Sequence, residues 1–364
     1  MKVKKIAVIG GGNGAITAAA DLTERGFEVT LFELEQYRSR LDIFQKNGGI
    51  VLAETGEGER FVPYHGIVDT AQEAVKDAQL IMFMVPGFAI QAFAKEIIPW
   101  LQDGQVIFFN GAAALSCLRF SNELKREGNS KKLYLCESNS LSYGTRVVYE
   151  EGKAVLSLRV KKLFLASYPS KDIDLCFETV SQIYDCFVKA ENIWQTTLEN
   201  GNPEVHPGPC LLNVGRIDYS KGEFWLYKEG ITEHTIRLLH AIEKERMEIG
   251  KALGFTLENA TESRYRRGYL DRQDEDLQTL FNESPVFSQI KGPVSVESRY
   301  FTEDISEGLV LWSDLGRVSG VATPNIDAVI VLGSTILKTN FYETGLTLRS
   351  VGLSGVTKEE LLNI

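Results

Sequence analysis

The feature that most constrains this chain is an apolar segment that runs directly into a cluster of glycines. Lys5–Ile9 is a short apolar run, residues 10–15 follow in the pattern G-x-G-x-x-A, and residues 16–25 have the spacing of a helix. A buried parallel strand, a glycine turn and a helix start are the three parts of a dinucleotide-binding fingerprint. This order predicts a βαβ unit whose helix N-terminus faces the phosphates of a nucleotide.

Each small residue of the fingerprint has a physical role. Gly10 makes the tight turn out of the strand, Gly12 lets the backbone approach a pyrophosphate, and Ala15 lets the helix pack close to the strand. Asn13 and Gly14 lie between them, at the start of the helix. We therefore expect all five residues to bind the cofactor.

An acidic residue follows the second predicted strand, Glu28–Phe32. Glu33 lies about 20 residues beyond the glycines, where a carboxylate hydrogen-bonds the hydroxyls of an adenosine ribose. A carboxylate there repels a ribose phosphate, so NAD is favoured over NADP. Arg38 and Arg40 follow closely and can accommodate that phosphate, which keeps NADP possible.

The chain is longer than a single core comfortably allows, and its pattern changes along its length. It has 364 residues, so two domains are expected. Apolar runs alternate with helical patterns up to about residue 190, which predicts an α/β, doubly wound Rossmann domain over residues 1–190. Long helical patterns such as residues 232–253 then dominate. They predict a mostly α-helical second domain over residues 191–364.

Ligands of an open parallel sheet lie beyond the carboxyl ends of its strands. The most apolar predicted strand, residues 80–85, ends at Val85 and Pro86. Glu137 follows a later predicted strand at residues 132–136. We expect Val85 and Pro86 to contact the cofactor and Glu137 to lie on the same rim of the sheet.

Bulk composition excludes several classes of protein. The net charge of −10 argues against a nucleic-acid partner, because phosphate binding needs a basic surface. The five cysteines are scattered without a C-x-x-C pair, so neither disulfides nor a metal site is expected. No apolar run approaches a membrane span. These observations predict a cytoplasmic protein without a membrane partner.

One of only four histidines occupies a rigid setting. His206 lies within residues 200–209, a segment that holds three prolines and two glycines, and histidine suits proton donation near neutral pH. Asp304 can fix the tautomer of such a histidine, and Arg299 can hold a substrate carboxylate in a bidentate fork. The same acidic and basic cluster also fits a surface loop before a helix, and its spacing does not decide between the two.

Several motifs together resemble the opine dehydrogenase family, the octopine dehydrogenase-like enzymes, nearly from end to end. They are residues 10–15, Val85-Pro86, Glu137 with Arg146, Asn202-Pro203 with His206-Pro207, and Arg299-Tyr300 with Glu303-Asp304.

The resemblance implies an NAD(P)H-dependent reductive condensation of an α-keto acid, such as pyruvate, with the amino group of an amino acid. It implies that His206 and Asp304 act as a catalytic dyad, that Arg299 holds the keto acid's carboxylate, and that Glu137 helps to bind the amino substrate. Asn202 is expected to bind substrate as well.

The resemblance further implies a substrate-binding role for Arg146 and a homodimer. One departure from the family pattern is the loop after Asn110, which lacks the proline that relatives often carry. The geometry of that loop is therefore expected to differ.

Two alternatives stay open. The first is another two-domain reductase, of the glycerol-phosphate or ketopantoate type, which resembles this chain in its first domain but relies on a lysine in the helical half. Lys221 and Lys228 are the lysines nearest to His206, and neither lies in a comparable motif. The second is a non-catalytic NAD-binding sensor, which would keep the glycines and Glu33 without the dyad.

Overall fold

The computed structural model describes residues 2–111 and 114–364. Part of the loop without the family proline, residues 112–113, therefore lies outside the described residues. The chain forms two compact units, one that ends at Thr196 and one that spans Thr197–Ile364. The sequence predicted the division after residue 190.

The first unit is built on a seven-stranded sheet with the strand order β11-β10-β7-β6-β5-β1-β2. Strand β10 is antiparallel to β7, and the other pairs of neighbours are parallel. Its strands are β1 (Lys5–Ile9), β2 (Glu28–Phe32), β5 (Leu80–Phe83), β6 (Val106–Phe109), β7 (Tyr134–Ser138), β10 (Leu163–Tyr168) and β11 (Phe187–Lys189).

The central strands form because they are apolar on both faces. Every residue of β5 and β6 is buried, as are four of the five residues of β1. Continuous apolar runs are typical of parallel strands that carry helices on both faces of the sheet. The predicted Rossmann-like domain is confirmed.

A second, four-stranded sheet has the order β4-β3-β9-β8. Its strands are β3 (Gly49–Glu54), β4 (Gly58–Pro63), β8 (Tyr143–Val148) and β9 (Lys153–Arg159). Neither β8 nor β9 is among the predicted strands. In β9 only alternate residues, Ala154 and Leu156, are buried, because one face of this strand is covered.

The helices of the first unit begin with α1, which follows the glycines directly. They are α1 (Asn13–Glu24), α2 (Asp42–Asn47), α3 (Ala71–Val75), α4 (Ile90–Ile97), α5 (Ser116–Arg126), α6 (Ile173–Val180) and α7 (Ile193–Leu198). The sequence pattern of residues 173–187 predicts one helix, but the observed helix α6 ends at Val180. Phe187 instead begins β11, and its ring packs edge-on against Phe108 of β6.

The second unit is helical, as predicted. Its α-helices are α8 (Asn202–Val205), α9 (Pro207–Leu212), α10 (Val214–Ser220), α11 (Glu233–Ala252), α12 (Ala260–Arg267), α13 (Leu277–Glu283), α14 (Arg299–Glu303), α15 (Val310–Ser319), α16 (Pro324–Leu337), α17 (Phe341–Thr344) and α18 (Lys358–Leu362). Two π-helices, Leu226–Gly230 and Asp304–Leu309, interrupt this pattern.

The longest helix, α11, has an apolar face that explains its position. Ile236, Leu239, Ile242 and Ile249 recur at helical spacing, and all four are buried. Within residues 2–111 and 114–364, no helix is both long enough and apolar enough to cross a membrane.

Candidate functional site

The glycine loop between β1 and α1 has the geometry of a cofactor cradle. Gly10 has a φ of +112°, and a Cβ there would lie 2.7 Å from Cγ1 of Val85, so only glycine fits. A Cβ on Gly14 would lie 2.9 Å from Cδ1 of Leu141. A Cβ on Gly12, by contrast, would meet no atom within 4 Å. The space in front of Gly12 is therefore open to a ligand.

Helix α1 directs its N-terminus at this open space. Gly12 is its N-cap residue, and the first turn contains no acidic side chain. The first N–H groups of a helix lack partners within it, and the helix dipole favours an anion there. Asn13 accepts a hydrogen bond through Oδ1 from the N–H of Val147 (2.9 Å), while Ala15 is fully buried.

Glu33 lies beside the glycine loop at the end of β2. Its carboxylate accepts hydrogen bonds from the N–H groups of Gly11 and Leu34, both 2.8 Å long. Burial raises the pKa of Glu33, and these backbone donors and Arg40 oppose the rise. Arg40 lies 4.0 Å from the carboxylate, and Arg38 forms an ion pair with Asp69.

These residues fit a dinucleotide. The open face of Gly12 and the start of α1 offer N–H groups to a pyrophosphate, and the carboxylate of Glu33 lies against the same loop. Val85 borders Gly10, and Pro86 follows it at the end of β5. The predicted cofactor residues are thus brought together within the first unit.

The second sheet supports the loop, which was not anticipated from the sequence. The hydroxyl of Tyr149, just after β8, donates to the carbonyl of Gly11 (2.8 Å). The hydroxyls of Thr145 in β8 and Thr17 in α1 are hydrogen-bonded at 2.6 Å. One sequence feature could have revealed this sheet: the alternating pattern of β9, which follows Gly152. The positive φ of Gly152 turns the chain between β8 and β9.

Glu137 and Arg146, the predicted substrate residues of the first unit, have different environments. Glu137 lies in β7 and is fully buried, and its Oε2 accepts the N–H of Cys117 (2.8 Å) at the start of α5. Burial raises the pKa of Glu137 to about 7, against the hydrogen bonds from Cys117 and Thr196. Arg146 is exposed on β8. Their roles in substrate binding stay predictions.

The second unit brings His206 and Asp304 together. His206 Nδ1 lies 2.7 Å from Asp304 Oδ2, and the two side chains are 12% and 11% exposed. His206 lies at the junction of α8 and α9, where Pro207 begins the second helix because proline suits a first helical position. Asp304 begins a π-helix, a feature frequent at functional sites. Because an ionised carboxylate can only accept a hydrogen bond, this contact requires the proton of His206 to be on Nδ1.

The histidine ring is also held by stacking. The rings of His206 and Tyr300 are nearly parallel, with centroids 3.9 Å apart and an angle of 17° between them. One face of the imidazole is thus covered, while Asp304 occupies Nδ1. Nε2 is the ring nitrogen that does not contact Asp304. Tyr300 was named in the sequence only as part of a motif, and its contact with His206 could not be foreseen from spacing.

Arg299 and Asn202 are the other predicted residues of the second unit. Arg299 begins α14, its side chain is 64% exposed, and its guanidinium contacts the carboxylate of Glu303. Asn202 is exposed at the start of α8, and its carbonyl accepts the N–H of His206 (3.0 Å).

No group of side chains suited to a metal ion occurs among residues 2–111 and 114–364. The five cysteines are free and buried. In the second unit, His206 is paired with Asp304, and Arg299 lies five residues before Asp304 in the chain. In the first unit the arrangement is that of a dinucleotide cradle.

Comparisons with known proteins agree with both halves. Residues 189–337 match the family described as NAD/NADP octopine/nopaline dehydrogenase, alpha-helical domain. Residues 1–158 match the NADPH-binding domain of acetohydroxy acid isomeroreductase. An opine dehydrogenase from Arthrobacter sp. (strain 1C) is 31% identical over 359 residues, which cover 97% of this chain and 96% of the relative.

Solved structures show the same fold. Octopine dehydrogenase with NADH and L-arginine superposes with a TM-score of 0.76 at 17% identity, and the match covers 99% of this chain and 98% of the other. A ketopantoate reductase from Ralstonia eutropha JMP134 has a TM-score of 0.58 at 15% identity, with 92% and 98% of the two chains covered.

These matches confirm the predicted class of cofactor, a nicotinamide dinucleotide. The cradle in the first unit is what such a cofactor requires, and the helical unit matches a family of nicotinamide-dependent dehydrogenases. Since an opine dehydrogenase aligns with this chain almost from end to end, this oxidoreductase belongs to the opine dehydrogenase family.

Proposed function

We propose that the protein catalyses the reductive condensation of an α-keto acid with the amino group of an amino acid, and the reverse oxidation at the resulting CH–NH bond. The observation that carries this proposal is the His206–Asp304 pair, with its 2.7 Å contact and the exposed Arg299 nearby in sequence. In the forward direction a keto acid, an amine, NADH and a proton give an opine, NAD⁺ and water. NADH supplies the two electrons of this reaction.

The chain's own residues supply the proton and hold the acid. His206 donates a proton from Nε2 as the carbonyl oxygen leaves as water, because Asp304 at Nδ1 stabilises the charged imidazole and fixes its orientation. Arg299 binds the carboxylate of the keto acid through its fork of N–H donors. Glu137 is proposed to contact the amino substrate, as the family resemblance implies, and Asn202 and Arg146 are proposed to bind substrate.

NADH oxidation tests the proposal directly. The purified protein is mixed with NADH, pyruvate and each of the twenty amino acids in turn, and absorbance at the NADH band is followed. We expect oxidation that requires both pyruvate and one class of amino acid, with an N-carboxyethyl amino acid as the product by mass spectrometry.

The control reactions separate the alternatives. Oxidation with the keto acid alone would indicate a simple keto-acid reductase of the ketopantoate type. NADH binding without turnover in any mixture would indicate a sensor. A homodimer and a cytoplasmic location, both predicted from the sequence, stay predictions. Light scattering on the purified protein tests the dimer.

A further inference from the structure

A buried group of charged side chains includes Glu204, two residues before His206. We call Glu204, Arg246 and Arg264 the buried triad. Arg246 Nε donates to Glu204 Oε2 (2.8 Å), and Arg264 Nη1 lies 3.2 Å from Glu204 Oε1. The three side chains are 0%, 3% and 6% exposed. Glu204 belongs to the same short helix, α8, that ends at His206.

The arginines of the triad also bind the backbone that leads into α8. Arg246 Nη1 donates to the carbonyl of Leu198 (2.9 Å), and Arg264 Nη2 donates to the carbonyl of Gly201 (3.2 Å). Gly201 is closely packed, because a Cβ there would lie 3.1 Å from Arg264 Nη2. The segment before His206 is therefore held by side chains from two long-range helices, α11 and α12.

The segment also contacts the helix that carries Asp304. A Cβ on Gly308 would lie 2.2 Å from Cγ of Pro203, so the proline ring packs directly on the backbone of the π-helix Asp304–Leu309. The segment thus contacts both the buried triad and the π-helix that begins with Asp304.

We propose that the buried triad positions His206 for its hydrogen bond to Asp304, and that Glu204 and Arg246 are positioning residues of the reaction. Removing ions from water costs several kcal/mol each, so an apolar core would hold α8 at least as well. An arginine presents its donors in a rigid fork, so we expect the triad to define the position of α8 more sharply than apolar contacts would. A displacement of about 1 Å at a reacting group can lower the rate about 100-fold.

The position of His206 can be measured without any substrate. The full chain contains four histidines, so ¹⁵N-histidine labelling gives a simple spectrum. The Nδ1 proton in the bond to Asp304 should give a downfield signal, which His206→Ala identifies by its loss. We expect Glu204→Gln to shift this signal upfield or broaden it, because the amide keeps the size of the side chain but not the charge that aligns both arginines.

Kinetics give the second readout. We expect Glu204→Gln to lower kcat about 10- to 100-fold while KM for NADH stays unchanged, since the cradle lies in the other unit. Arg246→Lys should act in the same direction, because one ammonium cannot reach the three acceptors that Arg246 serves: Glu204, Leu198 and Glu258. If Glu204→Gln does not fold, Arg246→Lys alone tests the positioning role of the triad.

Glu245→Gln is the matched control. Glu245 is the neighbouring residue on α11, it is buried, and its carboxylate caps α16 through the N–H groups of Asn325 and Ile326. We expect a comparable loss of thermal stability with the downfield signal and kcat retained. The proposal is overturned if Glu204→Gln and Arg246→Lys keep the downfield signal and kcat, or if Glu245→Gln loses the two equally.

This inference rests on the proposed function for its kinetics alone. Absent turnover in the wild type, with the expected NMR result, would overturn only the proposed function.

Discussion

Two glycines in the same loop are needed for opposite reasons. Gly10 is required by the protein itself, because its φ of +112° and its distance to Val85 exclude a side chain. Gly12 has an ordinary φ of −82° as the N-cap of α1 and open space in front of it. The fold itself would therefore admit a side chain at Gly12, and the open space leaves room for a ligand.

Substitution of each glycine separates these roles. Gly12→Asp should leave the melting temperature of the cofactor-free protein unchanged or slightly higher, since aspartate is a preferred N-cap. NADH should no longer raise the melting temperature, because the carboxylate occupies the position of the pyrophosphate and repels its negative charge. Gly10→Ala should instead destabilise the protein by on the order of 1–3 kcal/mol. Differential scanning fluorimetry with and without NADH checks both. Undiminished NADH binding by Gly12→Asp would move the cofactor elsewhere.

Glu33 is expected to select NADH over NADPH by receiving the ribose hydroxyls. Glu33→Ala should weaken NADH binding by roughly 1–3 kcal/mol, the scale of losing a charged hydrogen-bond partner. Because Gly11 also donates to Glu33, part of this loss comes from the loop itself. Calorimetric titration with both cofactors measures the effect. A higher kcat/KM with NADPH would assign Arg38 or Arg40 to the ribose phosphate.

The dyad makes a prediction about coupling. His206→Ala should lower kcat by a factor on the order of 10²–10⁴ and leave NADH binding intact. Asp304→Asn should also lower kcat, since the amide lacks the charge that stabilises the imidazolium. The two losses should be strongly non-additive, because residues that act as a unit cannot each be counted in full. Independent, multiplicative losses in the double variant would separate the two residues.

Arg299 is predicted to bind the carboxylate of the keto acid. Arg299→Lys keeps the charge but loses the bidentate fork, so KM for the keto acid should rise well before KM for NADH does. Steady-state kinetics with each substrate varied in turn measure both constants. An equal rise in both would point to a role in folding.

At the scale of elements, Glu137 near the end of β7 connects two elements of the first unit. Glu137 joins β7 to the first turn of α5 through the N–H of Cys117, and it also faces the thiol of Cys117, the guanidinium of Arg119 and the hydroxyl of Thr196. Its pKa is raised by burial from 4.5 to about 7. Between these values the folded protein holds a proton that the unfolded chain has lost. The contribution of Glu137 to stability is therefore greatest at low pH and is lost as pH rises through 7.

Glu137→Gln should remove this pH dependence, because the amide resembles the protonated acid and can still accept from Cys117. Relative to the wild type, the variant should gain about 2 kcal/mol in free energy of unfolding between pH 5.5 and pH 8. Urea unfolding of the cofactor-free protein at both pH values provides the measurement. An unchanged difference between the two proteins would mean that Glu137 stays charged throughout.

At the scale of the whole molecule, sequence patterns located what depends on short range. Apolar runs at residues 5–9, 80–85 and 105–109 predict β1, β5 and β6 to within two residues, since the neighbours of these strands on both faces require the same apolar composition. His206 and Asp304 were paired through family motifs across 98 residues of sequence, which no periodicity reveals.

Strands β8 and β9 were missed for a related reason. Their order depends on pairing with β3, about a hundred residues earlier in the chain, and on a register shift between Gly144 and Thr145. Tyr143–Val148 has the burial of a strand covered irregularly on one face, which neither a buried run nor a strict alternation describes. Long-range pairing, rather than composition, makes this sheet.

The support of the glycine loop by the second sheet bears on the order in which the protein is made. The fingerprint and Glu33 are synthesised before β8, and the partners of Gly11 and Asn13, which are Tyr149 and Val147, follow 138 and 134 residues later. A nascent chain that has released the fingerprint but not β8 therefore carries an unfinished cradle. Cofactor affinity should appear late in synthesis or refolding, after most of the parallel sheet has formed. NADH should therefore bind and stabilise only those chains in which this long-range pairing has already formed.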